Sequence, residues 1–125
     1  MVANAKRAVI CSGKIYYDLF EEREKRGIKD IALIRLEQFY PFPSEILGAE
    51  LSKYKNAEIF WCQEEHRNMG GWNFVNEQIE HVLINSDNVC KRPSVIARPL
   101  SSSPATGYAA LHAKQHLDIL SSVFS

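Results

Sequence analysis

Short apolar runs separated by helix-length amphipathic stretches constrain this chain more than any other feature of its sequence. Residues 7–12 (RAVICS), 31–36 (IALIRL) and 57–63 (AEIFWCQ) are almost continuously apolar and rich in β-branched or aromatic side chains, as strands covered on both faces are. Residues 94–97 (SVIA) make a shorter fourth run. Between them the periodicity changes to that of helices. Ile15, Leu19 and Phe20 recur at helical spacing within 14–26, and Ile46, Leu47, Leu51 and Tyr54 do so after Ser44. Trp72, Val75, Ile79 and Val82 mark a third helix, and Ala113, Leu117, Leu120 and Phe124 a last one. Gly27 supplies a C-terminal stop and Ser44 an N-cap. Strand–helix alternation with short links predicts one α/β domain over 1–125, a mainly parallel sheet with helices on both faces.

Composition removes several functions. Fifteen Lys and Arg balance fifteen Asp and Glu, so the basic excess of a phosphate-neutralising nucleic-acid binder is missing. No apolar stretch approaches the ~20 residues needed to span a bilayer, and residues 1–7 lack the apolar core of a signal peptide. Cys11, Cys62 and Cys90 are odd in number and without CxxC spacing. They read as reduced thiols in a reducing compartment rather than as disulfides or metal ligands.

In an open α/β sheet, ligands and partners gather beyond the carboxyl ends of the strands. The polar residues of this chain fall there. Ser12-Gly13-Lys14 joins a strand to a helix start, where an anion could sit, but it matches neither nucleotide-binding glycine fingerprint and reads more simply as a tight strand-to-helix turn. Arg35 and Glu37 lie two apart and are expected to pair internally, with Glu64, or with a neighbouring subunit. Glu64 to Gly71 reads as a polar loop containing Glu65, His66 and Arg67. Consecutive Glu64 and Glu65 point oppositely if extended, so they make a poor catalytic dyad. Gly70-Gly71-Trp72 opens the next helix and suits a close backbone approach. His112 and His116 are four apart, but no third metal ligand lies near them in sequence. Residues 98–106 read as a Ser/Pro loop. No catalytic, cofactor-binding or metal site is expected. The expected interface or effector edge is Lys14, Arg35, Glu37, Tyr40, Phe42, Glu64, Glu65, Arg67, Trp72 and Arg98, with its 38–43 and 64–72 segments forming one patch more apolar than the remaining surface.

Taken in order, SGKIYYDL (12–19), RLEQFYPFP (35–43), WCQEE (61–65), Asn68-Met69-Gly70, Trp72, Arg98-Pro99 and SPATG (103–107) resemble the C-terminal domain of the E1 component of 2-oxoglutarate dehydrogenase. The resemblance covers nearly the whole chain. His66 stands where the family often has Pro, and Gly71 where it often has Ala, which should loosen the loop after the third strand. The resemblance implies a transketolase C-terminal-like fold, a three-layer, Rossmann-like α/β arrangement. It implies that the complete enzyme is a homodimer using thiamine diphosphate and magnesium. That enzyme decarboxylates 2-oxoglutarate and succinylates the lipoyl group of an E2 succinyltransferase in the tricarboxylic acid cycle. It further implies upstream E1 domains as partners, no nucleic acid or membrane, and a bacterial cytoplasm or mitochondrial matrix. No Gly-Asp-Gly cofactor motif is present, so the fragment is expected to be inactive and to hold no cofactor. Two alternatives accompany this reading. One is a regulatory module binding a nucleotide or acyl-CoA effector at Lys14, Arg35 or Arg98; the other is the same domain of a relative acting on 2-oxoadipate.

Overall fold

The structure, a computed structural model, describes residues 4–98 and 109–125, with side chains from 113 in the last helix. Strands β1 (Arg7–Cys11), β2 (Ile31–Arg35), β3 (Glu58–His66) and β4 (Ser94–Arg98) form one sheet in the order β2-β1-β3-β4, parallel at every pairing. Helices α1 (Ile15–Arg26), α2 (Ser44–Leu51), α3 (Trp72–Ile84) and α4 (Ala109–Phe124) supply the two outer layers. Each apolar run alternates its side chains between two cores. Ala8, Ile10, Ile34, Ile59 and Trp61 pack with Leu47 and Leu51 of α2 and Val75 and Ile79 of α3. On the other face Val9, Cys11 and Cys62 pack with Ile15 and Leu19 of α1 and Ile119 and Val123 of α4. This is the three-layer α/β arrangement expected from the alternation of patterns.

Four local expectations need correction. Ser44 is the first residue of α2 rather than its cap: the cap position falls to Pro43, and no side-chain cap bond forms. Phe20, Ile46 and Leu117 have the right spacing but lie beside, not on, the buried stripes and are exposed. In α4 the inward positions are Ile119, Leu120, Val123 and Phe124, so the stripe is rotated from the one built on Ala113 and Leu117. The third strand runs on to His66, through residues that read as loop. Backbone pairing sets its end, not hydropathy: His66 is in register with Arg98, and the Arg67 N–H donates to the Arg98 carbonyl at 2.9 Å. Of the 98–106 loop, only Arg98 lies among the described residues, and it is in strand β4.

Cys11 and Cys62 are register partners on β1 and β3, both fully buried and both free. Burial pushes the Cys11 thiol up to about 12, only partly opposed by Arg35, and raises Cys62 as well. Only a thiolate attacks a disulfide reagent, so one thiol, the half-buried Cys90, is expected to react in folded protein at pH 8. The other two should appear only in denaturant. Three fast thiols in a native Ellman titration would contradict this packing.

Candidate functional site

The strand order reverses between β1 and β3, so the crevice at their carboxyl ends is the topological switch point where such sheets bind ligands or partners. Gly13 (φ +77°) turns the chain out of β1 and places Lys14 at the start of α1. Its Nζ crosses the crevice and donates to Glu64 Oε1 at 2.8 Å. That hydrogen bond, and then the carboxylate's charge, raise the Lys14 pKa. Beside them His116 Nε2 of α4 lies 3.5 Å from Asp18 Oδ2 of α1. The ligand atoms of Asp18, Glu64 and His116 all fall within 4.8 Å of one another. Sequence reading could not assemble this group, because its members lie on three elements far apart in the chain. It is nevertheless the third-ligand neighbourhood that His116 lacked along the sequence.

Arg98 lies beneath this group rather than on its surface. It is 5% exposed, with Nε donating to the Glu64 carbonyl at 2.7 Å and Nη1 to Gln115 Oε1 at 3.1 Å. As a buried guanidinium tying β3 to β4 and α4 it has a structural post. Arg35, by contrast, ends β2 in an exposed position. Its Nη1 donates to the Tyr17 hydroxyl at 2.9 Å, and the guanidinium sits 5.1 Å from the Tyr17 ring centre. Glu37 is 3.7 Å away and largely solvated, so the expected internal ion pair is a surface one, and Glu64 is committed to Lys14 instead.

The second half of the edge is organised by a residue whose sequence position gives no hint of its role. Gln63 is 3% exposed, and its amide is used completely. Its Oε1 accepts from Trp61 Nε1 at 2.9 Å and from the Trp72 N–H at 3.0 Å. Its Nε2 donates to the carbonyls of His66 at 2.8 Å and Met69 at 2.7 Å. The 64–72 segment is therefore wrapped around one buried amide. His66 is itself buried and its carbonyl also accepts the Met69 N–H, so this segment is not loosened as its departure from the family pattern suggested. Gly71 likewise tightens it: a Cβ there would lie 3.0 Å from Phe39 Cε2 and 3.1 Å from Trp61 Cζ2, so the Phe39 ring takes the place of that methyl. Gly70 is left-handed (φ +72°), and a Cβ would meet Glu65 and Gln63 at 3.0–3.1 Å. Gly70→Ala is expected to cost about 1–3 kcal/mol in urea denaturation. A variant as stable as the parent would mean this turn is conformationally free.

Through Phe39 the 38–43 connection meets the 64–72 segment. The Phe39 ring lies 5.9 Å from Trp61 and 6.2 Å from Phe74, and Phe42 lies 6.5 Å from Phe74. Tyr40 is 85% exposed, Met69 and Phe74 are also exposed, and Phe42 and Trp72 are half-buried. Glu65 and Arg67 are exposed on the same segment. The result is an aromatic shelf at the carboxyl edge of the sheet, next to the charged crevice.

These residues do not fit a diphosphate with magnesium. The Gly70 turn is filled by Glu65 and Gln63. The Gly13 turn is open, but the ligand-type side chains gathered nearest it, Asp18, Glu64 and His116, include an imidazole, which magnesium disfavours. The thiols of Cys11 and Cys62, beneath this edge, are buried and held protonated.

A parallel α/β domain with a charged switch-point crevice and an uncovered aromatic shelf is the kind of unit that works against a neighbour. Comparison with known proteins places it. A family model described as 2-oxoglutarate dehydrogenase C-terminal matches residues 2–124, and the chain belongs to that family. It is 51% identical over 113 residues to the 2-oxoglutarate dehydrogenase E1 components of Brucella anthropi and Brucella ovis. The match covers 90% of this chain and 11% of each relative, so the chain spans about one-ninth of the length of the curated relatives it matches. Among the described residues, no helix is long and apolar enough to cross a membrane.

Proposed function

We propose that this chain is the C-terminal structural and assembly domain of a 2-oxoglutarate dehydrogenase E1. In that enzyme thiamine diphosphate and magnesium, held by upstream domains, support decarboxylation of 2-oxoglutarate and succinylation of the lipoyl group on E2. The observation that carries this reading is the family match over residues 2–124, and the exposed aromatic residues at the carboxyl edge support it. Tyr40, Phe42, Phe74 and Met69 form an apolar shelf of the kind that partners cover. The partners proposed are the upstream E1 domains, the second E1 subunit of a homodimer and, through the assembled enzyme, E2. The bacterial relatives and the reduced, buried cysteines support a cytoplasmic setting.

The test is a turnover assay with 2-oxoglutarate, thiamine diphosphate, magnesium and an artificial electron acceptor. The 125-residue chain is expected to give none, and the complete E1 carrying this sequence is expected to turn over. Activity from the short chain would overturn the assignment of catalysis to upstream domains. Preference for 2-oxoadipate by the complete enzyme would move it to the related dehydrogenase.

The regulatory reading keeps one observation in its favour. Lys14 and the Arg35–Tyr17 pair put two exposed cations and an aromatic face along one edge, which suits an anionic, ring-bearing effector. Arg98 is withdrawn from it by burial. A thermal-shift screen of the chain with AMP, CoA and acetyl-CoA tests it, and a ligand at 100 times its Kd adds about 2.7 kcal/mol.

A further inference from the structure

We propose that Asp18, Glu64 and His116 form a binding site for one first-row divalent transition-metal ion, of which Zn2+ is the representative. Each residue comes from a different element, α1, β3 and α4, and all three are half-buried at the mouth of the β1/β3 crevice. Two carboxylates and an imidazole are a donor set for such ions, with the remaining positions open to water. The imidazole argues against magnesium or calcium, which favour oxygen ligands throughout.

The geometry is near that of a bound site. With every pair of donor atoms within 4.8 Å, some point between them lies within about 2.8 Å of all three. Small side-chain rotations bring that to the ~2.0–2.2 Å of metal–nitrogen and metal–carboxylate bonds. His116 and Asp18, at 3.5 Å, are already at the separation of two ligands sharing an ion. The Glu64 carboxylate has two oxygens, and Lys14 donates to one of them, Oε1. Lys14 is the competing cation, and it is a weak one: its side chain is 77% exposed, so it can leave Glu64 for water at little cost. Arg98, the other nearby cation, donates to the Glu64 backbone carbonyl and to Gln115 Oε1. A bound ion would clip the terminal helix α4 and helix α1 to the end of β3, next to the surface that faces the rest of the enzyme.

The experiment is a Zn2+ titration by calorimetry on the 125-residue chain, with Cys90→Ser as the background so that the accessible thiol does not bind the metal. Thermal melts and Co2+ ligand-field spectra are run alongside. One equivalent is expected to bind, to raise Tm, and to give Co2+ a low-symmetry mixed nitrogen–oxygen spectrum. Asp18→Asn and His116→Gln are each expected to weaken binding by at least about tenfold, and Lys14→Met to tighten it. The melts of the background protein alone keep the proposal open to refutation if a ligand variant folds poorly. No saturable binding and no Tm shift would overturn it. So would binding that Asp18→Asn and His116→Gln leave unchanged. Neither result depends on the enzyme having turnover.

Discussion

Replacing Gln63 with leucine is expected to destabilise the domain by about 3–5 kcal/mol, out of all proportion to a change that nearly conserves volume. Leucine fits the space but makes none of the bonds. The indole N–H of Trp61 and the backbone N–H of Trp72 lose their acceptor, and the Met69 carbonyl loses its donor. Trp61 is 2% exposed, so its indole N–H cannot turn to water in place. Each stranded buried group costs roughly 1–3 kcal/mol. Gln63→Glu should also fail: the carboxylate still accepts from both tryptophans but faces the His66 and Met69 carbonyls without a donor. Urea denaturation of both variants measures the loss. A cost below about 1 kcal/mol for leucine would mean the 64–72 segment holds its shape without the amide.

Trp61→Ala is the second large effect, about 3–5 kcal/mol from lost burial and the cavity left behind. Trp61 is the largest fully buried side chain, and it supports both halves of the edge at once. Its ring meets Phe39 edge-on, its Cζ2 lies under Gly71, and its indole N–H fixes the Gln63 amide. Removing it should therefore release the 38–43 connection as well as weaken the core. Because Gln63 and Trp61 share a bond, their substitutions should not add. A double-mutant cycle is expected to return a coupling of about 0.5–3 kcal/mol. Strict additivity would show that the amide and the indole act independently.

The contrast between these residues and the strands marks how far the amino-acid sequence can be read. β1 and β2 are legible because burial on both faces forces continuous apolar character, and Gly27 is legible because a left-handed helix stop favours glycine. The extension of β3 through Glu64, Glu65 and His66 is hidden, because a ladder needs backbone groups and not apolar side chains. Ile46 and Leu117 are exposed despite their helical spacing, because periodicity fixes a face only to within a residue or so, and Leu47 and Leu120 of the same stripes hold the buried positions. At the site, the residues of one segment could be read as an edge, since Tyr40, Phe42 and Trp72 stand beside glycines and prolines. The pairings across segments could not. Lys14 finding Glu64, and His116 finding Asp18, are facts of strand order, and spacing along the chain does not encode them. Gln63 is the sharpest case: one glutamine in QEEH looks as polar as its neighbours, and only burial distinguishes it.

The proposed function makes the carboxyl edge of this domain a surface for the rest of E1. Hydrogen exchange measures it directly, by comparing the amides of residues 38–43 and 64–72 in the 125-residue chain and in the complete E1 that carries it. Half of the 38–43 connection is exposed, with Tyr40 foremost, and without a partner its amides should exchange readily. In the complete enzyme both segments are expected to slow by at least about tenfold, while the amides of β1, already central to the sheet, change little. Equal exchange of the two segments in the short chain and the complete enzyme would contradict the claim and leave the aromatic shelf facing solvent.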